Sequence, residues 1–291
     1  MDVALEVRNL IISFKKKPVI IDINFKLFKN QCFALLGESG SGKTLTALSL
    51  FNSLPDNFKV ENGEIFPKEK DKMAYLFQDP LSALNPVFKL KTQMKSVQKA
   101  KKSYDYNEMI NTLKSLAFPE PEKKIELYPH QLSGGMQQRF ALALSLLKKS
   151  EILIADEPTT ALDLTVQAKI LNLFEKLKKE KLSILMITHD MGVVAQIADW
   201  VGVMYLGRLL EISPVEDFFD EPLHPYSKIL QEAKEFKVKK IKEDKTLSFF
   251  KKPLGCPFHP KCEFKMDICE EIFPKAFEKN GRKVWCHFYN K

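Results

Sequence analysis

Arginine is scarce in this chain. Of 45 basic residues among 291, only Arg8, Arg139, Arg208 and Arg282 are arginine, so lysine carries nearly all of the net charge of +8. A chain that reads nucleic acid through bidentate contacts would use more of the planar guanidinium fork. The lysines are spread out with carboxylates between them, as on a solvated surface, and a mildly basic face near anionic lipid headgroups is compatible with that spread. Long hydrophobic runs are missing as well. No apolar stretch reaches the ~18 uncharged residues of a membrane span, and the nearest, at 201–206, is strand-sized. The first residues, Met1-Asp2-Val3-Ala4-Leu5-Glu6, lack the basic start and apolar run of a secretory signal. Together these absences predict a cytoplasmic protein whose membrane role comes through partners. Glycine is sparse too: five of eleven sit in two short motifs, as Gly37, Gly40, Gly42, Gly134 and Gly135, so glycine is placed rather than scattered. What is present, 45% hydrophobic and 28% charged residues, can bury a full core and a second, smaller unit.

The first glycine motif is Gly37-Glu38-Ser39-Gly40-Ser41-Gly42-Lys43-Thr44, which fits G-x-x-x-x-G-K-[ST] at every required position. A short apolar run, Cys32-Phe33-Ala34-Leu35-Leu36, precedes it as a buried parallel strand should, and Leu45, Leu48, Leu50 and Phe51 suit a helix after it. The glycines permit a tight turn that points N–H groups at phosphate oxygens. Lys43 would reach the β- and γ-phosphates, and the Thr44 hydroxyl would ligate Mg²⁺. This pattern predicts a nucleotide-binding protein.

Residues 1–30 alternate apolar and polar, as antiparallel strands do, with Phe14 the candidate exposed aromatic. Strand-like pieces continue through 58–78. From Asp79 to about Gln131, Pro80, Pro86, Pro119, Pro121 and Pro129 punctuate helical stretches near 91–101 and 106–116, which predicts an inserted helical subdomain. Strand-like and helical pieces then alternate: 151–156, a helix over 165–180, 183–188, a helix from Met191, and 200–205. In the helix over 165–180, Val166, Ile170, Phe174 and Leu177 share a face. Such alternation predicts a parallel α/β sheet. After Glu211 the pattern weakens, a lysine-rich linker covers 234–252, and a cysteine-bearing tail follows. No internal repeat is visible, so a single nucleotide-binding unit is expected.

Two further motifs carry chemistry. Ile152-Leu153-Ile154-Ala155-Asp156-Glu157-Pro158 is an apolar strand ending in two carboxylates. In a phosphate-loop ATPase, Asp156 would hold Mg²⁺ and Glu157 would polarise the attacking water. Leu132-Ser133-Gly134-Gly135-Met136-Gln137-Gln138-Arg139 opens a helix expected over 140–148, and Ser133 with the glycine amides makes a second anion site.

With these motifs in this order, the chain resembles the ABC-transporter ATPases. The resemblance implies a Mg²⁺- and γ-phosphate-sensing role for Gln78, a dimer-seam role for Asp163 in Ala161-Leu162-Asp163, a γ-phosphate contact for His189 and adenine stacking for Phe14. Phe77-Gln78-Asp79-Pro80-Leu81-Ser82-Ala83-Leu84-Asn85-Pro86 is similar to the extended glutamine loop of the dipeptide, oligopeptide and nickel importers. Met136 and His224-Pro225-Tyr226 are similar to that branch as well. Asn30-Gln31-Cys32 departs from the usual Gly-Glu before the strand, which alters a turn and no catalytic role, and Thr44 replaces Ser, which is chemically neutral for Mg²⁺.

Cys32 falls in a predicted buried strand, where it behaves as a small hydrophobe. Cys256, Cys262, Cys269 and Cys286 crowd the tail with spacing C-x5-C-x6-C-x16-C. Disulfides are disfavoured in the cytoplasm. The spacing leaves an iron–sulfur cluster, a zinc ion and free thiols open. The resemblance favours a [4Fe–4S] cluster, with zinc the alternative, in a structural rather than redox role.

The expected fold is an α/β phosphate-loop ABC ATPase domain with a parallel core sheet, an antiparallel front sheet, a helical subdomain and a small C-terminal extension. Its nucleotide-binding core spans 1–78 and 132–210, the helical subdomain 79–131, and the extension with its cysteine cluster 211–291. The resemblance implies an ATPase for dipeptide or oligopeptide import, with nickel import the alternative. More remote is a soluble ABC ATPase on nucleic acid or ribosomes; scarce arginine and the His-Pro-Tyr extension argue against it. Implied partners are two permease subunits, a second identical or homologous ATPase subunit in head-to-tail pairing and, indirectly, an external solute-binding protein, with no nucleic acid. The expected place is the cytoplasmic face of the plasma membrane.

Overall fold

The structure, a computed structural model, describes residues 2–159, 162–234 and 254–290. Ala161 of the expected seam loop and residues 235–252 of the expected linker lie outside them. The chain forms two compact units, residues 1–68 with 187–291, and residues 69–186. The elements are α/β throughout.

The first unit begins with β1 (Val3–Phe14) and β2 (Lys17–Phe28). Alternation works here as expected: Leu5, Val7, Leu10 and Ile12 are buried, whereas Arg8 and Asn9 are exposed. Next come β3 (Cys32–Leu36), α1 (Lys43–Ser49) and β4 (Phe58–Phe66). An antiparallel front sheet runs in the order β2-β1-β4. β3 is buried along its whole length, Cys32 included. A strand covered on both faces has no polar side to alternate with, which is why it reads as a continuous apolar run. Phe33 stacks on Phe25 at 5.0 Å and so ties β3 to the front sheet.

The second unit holds β5 (Met73–Leu76), α2 (Pro80–Ala83), α3 (Leu90–Ala100), α4 (Tyr106–Ser115), α5 (Pro121–Lys124), α6 (Gly134–Leu147), β6 (Ile152–Asp156), α7 (Leu164–Lys179) and β7 (Ser183–Thr188), the last ending across the boundary. Its strands run in the order β7-β6-β5, and β5 pairs parallel with β6. α2, α3 and α4 pack on α6, whose Phe140 is fully buried and faces Phe118 with ring centres 6.4 Å apart. Gln98, itself buried, closes the turn between α3 and α4 by exchanging hydrogen bonds with Asp105 and donating to Glu108. On α7, Ile170, Leu171 and Phe174 are buried, while Val166 and Leu177 are only half-buried.

The chain re-enters the first unit through α8 (Met191–Ile197), β8 (Trp200–Tyr205), β9 (Arg208–Pro214), α9 (Val215–Asp220) and α10 (Pro225–Lys234). The tail adds α11 (Ile268–Glu271), β10 (Phe277–Lys279) and β11 (Arg282–Val284). The unit's second sheet runs β10-β11-β9-β8-β3, with β3 and β8 parallel and the rest antiparallel. The weak pattern after Glu211 therefore conceals real structure. No helix among the described residues is long and apolar enough to cross a membrane.

Candidate functional site

In the first unit the 37–44 loop leaves β3 and enters α1. Gly40 (φ +77) and Gly42 (φ +105) take left-handed backbone that suits glycine. Gly37 is needed for a different reason: an added Cβ would lie 2.2 Å from the Met204 carbonyl oxygen. Lys43 is buried, and its Nζ donates to the carbonyls of Gly37 (2.8 Å) and Glu38 (2.9 Å) and to Ser41 Oγ (3.4 Å). An ammonium held against its own loop in this way stands where phosphate oxygens would compete for it. Glu38, Ser39 and Gly40 are exposed, and Thr44 is half-buried at the start of α1.

Phe14 sits half-buried at the end of β1, 4.8 Å from the Phe58 ring, with Lys15 Nζ 5.4 Å from its own ring centre. His189 is exposed just beyond β7. Asp190 frames it by capping α8 through the Gly192 and Val193 amides, while its own N–H donates to Thr188 Oγ1 at 2.9 Å.

In the second unit Asp156 ends β6, almost wholly buried, and accepts a 3.0 Å hydrogen bond from the Tyr75 hydroxyl. Burial and then the neighbouring Asp156 charge hold the Tyr75 pKa far above its ordinary value, so Tyr75 stays a donor. Glu157 follows with φ +48, left-handed backbone that non-glycine residues rarely adopt and that collects at functional sites. Gln138 of α6 holds the same turn by donating to the Pro158 carbonyl. Gln78 is exposed after β5, and Asp79 caps α2 immediately behind it.

The helix carrying Ser133-Gly134-Gly135 starts at Gly134, six residues ahead of the 140–148 expectation. Ser133 is its extended N-cap and makes no side-chain cap bond. The first turn is held instead by Gln137, donating to the Pro129 and Leu132 carbonyls, and by Arg139, donating to Gly135. Burial lowers the Arg139 pKa, and the Asp163 carboxylate pulls it the other way. Asp163 also caps α7 through the Val166 amide at 2.9 Å.

No motif flagged Tyr75 or Met204, and Gln138 stood in the 132–139 motif without a role. No local signal marks Tyr75: the strand pairing that sets it beside β6, which ends in Asp156, is long-range.

The tail brings its four cysteines into mutual electrostatic reach. Burial, with a smaller push from the other three thiols, drives the Cys256 pKa up to about 12. Burial also raises Cys262 and Cys286. Among the described residues, however, no three His, Cys, Asp or Glu side chains are placed as ligands of a metal ion. The iron–sulfur expectation therefore finds no support in ligand geometry.

Residues 20–160 match the family described as ABC transporter, and residues 210–269 match the oligopeptide/dipeptide transporter C-terminal region. A dipeptide transport ATP-binding protein of Bacillus subtilis (strain 168) is 37% identical, over 98% of this chain and 95% of its own. An oligopeptide transport ATP-binding protein of Haemophilus influenzae is 39% identical, over 98% of both chains. Among solved structures, a dimeric bacterial ABC transporter cassette superposes with a TM-score of 0.64 at 24% identity, covering 72% of this chain and 98% of that one, which speaks to fold alone.

Proposed function

The chain belongs to the ABC transporter family, among its dipeptide and oligopeptide transport ATP-binding proteins, and on that premise we propose how its residues hydrolyse ATP to energise peptide import. The ATP phosphates lie in the 37–44 loop, where Lys43 exchanges the Gly37 and Glu38 carbonyls for β- and γ-phosphate oxygens. Phe14 stacks on adenine. Glu157 polarises the attacking water, and His189 and Gln78 position the γ-phosphate. Thr44, Asp156 and Gln78 would hold Mg²⁺, which when bound neutralises charge on the phosphates. The observation that carries this reading is the buried Lys43 ammonium enclosed by the loop that its motif prescribes. Glu157→Gln tests it: ATP affinity should stay within about threefold while hydrolysis falls about 10²-fold or more. Unaltered hydrolysis would remove Glu157 as the base.

Two such chains, or this chain and a homologue, pair head to tail so that Ser133, Gly134, Gly135 and Asp163 of one close over the nucleotide of the other. Gly134 supports this arrangement. An added Cβ at Gly134 would meet nothing within 4 Å among the described residues. Its backbone is therefore open to close approach by a partner. The pair sits at the cytoplasmic membrane face against two permease subunits, through the exposed apolar side chains Phe77, Leu81, Val87 and Phe88 that follow or flank Gln78. Residues 1–78 with 132–210 act as the nucleotide-binding core, 79–131 as the helical subdomain and 211–291 as the extension.

Cys256, Cys262, Cys269 and Cys286 would hold an iron–sulfur cluster that staples the tail; what favours it is their crowding in one short stretch of sequence, not a ligand geometry. Protein purified without oxygen should contain about four irons and matching sulfide per chain. Zinc without iron, or neither metal, would overturn the cluster.

A further inference from the structure

We propose that Tyr226 is a positioning residue for the phosphate loop, its hydroxyl holding the Glu38 N–H and so making ATP affinity depend on the C-terminal extension. The inference rests on the 37–44 loop being the ATP site. Glu38 opens the exposed stretch of that loop, and its N–H donates to the Tyr226 hydroxyl at 3.4 Å. The same loop is pinned from β8 and the turn after it: Gly37 lies against the Met204 carbonyl, and the Gly207 N–H donates to the Ser41 carbonyl at 2.7 Å. Tyr226 supplies an anchor from a different part of the chain, α10, at the point where the loop turns outward.

Tyr226 itself is held on every side. It is fully buried, with its ring 4.6 Å from Tyr205 and 5.3 Å from Phe258. Its own N–H donates to His224 Nδ1, and the His224 N–H donates to the buried Glu211 carboxylate. Burial is the main reason that the phenol pKa stands far above its ordinary value, so the hydroxyl stays neutral and can accept. Phe258 belongs to the cysteine-bearing tail, and Cys256 Sγ lies 4.0 Å from His224 Nε2. A continuous chain of contacts therefore runs from the tail, through Phe258 and His224, to Tyr226 and the loop. An aromatic needed only for packing could have been phenylalanine, because the ring contacts do not use the oxygen.

Tyr226→Phe keeps those ring contacts and removes the anchor. In the full chain, with a fluorescent ATP analogue as probe, the dissociation constant should rise about 3–10-fold, the size of one neutral hydrogen bond. In the assembled importer KM for ATP should rise alike, with kcat within about twofold, and Tm should move by no more than ~2 °C. Tyr289→Phe is the control, because that hydroxyl donates to the Leu223 carbonyl in the same extension and not to the loop. It should leave the dissociation constant unchanged. Unchanged affinity in Tyr226→Phe, or an equal loss in both variants, would overturn the proposal. Lys43→Ala separates the premise from the inference: if it binds the analogue as well as the native chain does, the loop itself is not the site.

Discussion

At the scale of single residues, the site is built from backbone that most side chains could not occupy. Glu157 takes left-handed φ, and Gly37 approaches a neighbouring carbonyl where no Cβ fits. The second constraint gives a sharp prediction. In Gly37→Ala the new methyl must displace Met204 backbone rather than a flexible side-chain end, so overpacking should cost about 1–3 kcal/mol. ATP affinity should fall together with the melting temperature. An alanine variant with native stability and affinity would mean that the loop relaxes freely. The eight positions 37–44 were legible because chemistry fixes both the residue types and their spacing. Tyr75 was not legible. Its hydrogen bond to Asp156 joins residues 81 apart, and nothing local in Met73-Ala74-Tyr75-Leu76 announces an acceptor.

At the scale of elements, periodicity spoke clearly where a helix or strand has one wet face. α3 and α4 begin and end within a residue of expectation because their buried residues recur at helical spacing. β9 was missed because a carboxylate and a hydroxyl interrupt its buried run: Leu209, Leu210, Glu211, Ile212 and Ser213 are all buried. Glu211 breaks the apolar pattern, yet its carboxylate is well satisfied. It accepts from Ser213, from the Leu223 and His224 amides and, at 3.5 Å, from Arg282. Those partners are 2 to 71 residues away, so sequence shows a stray charge where the fold has a hub. Glu211→Ala should leave Arg282, only 11% exposed, without its carboxylate and destabilise the chain by about 3–5 kcal/mol. Thermal denaturation checks this, and a shift under ~2 °C would show that the hub is dispensable. The start of α6 was misplaced for a related reason. Gly134 and Gly135 have low helix propensity and read as loop, although they form the first helical turn.

At the scale of the whole molecule, the proposed site residues fall in both units. One carries the phosphate loop, Phe14, His189 and the cysteine tail; the other carries Gln78, the Ser133-Gly134-Gly135 turn, Asp156, Glu157 and Asp163. The order of these stations along the chain made the family legible from sequence. The solute was not, because no residue of an ATPase subunit need touch it. If ATP hydrolysis by this chain drives peptide import, uptake of a labelled dipeptide depends on it. The cells should carry Lys43→Ala as their only copy, with nickel uptake followed alongside. Loss of dipeptide uptake with nickel uptake unchanged is the predicted result. Dipeptide uptake that persists at the native rate would contradict the account.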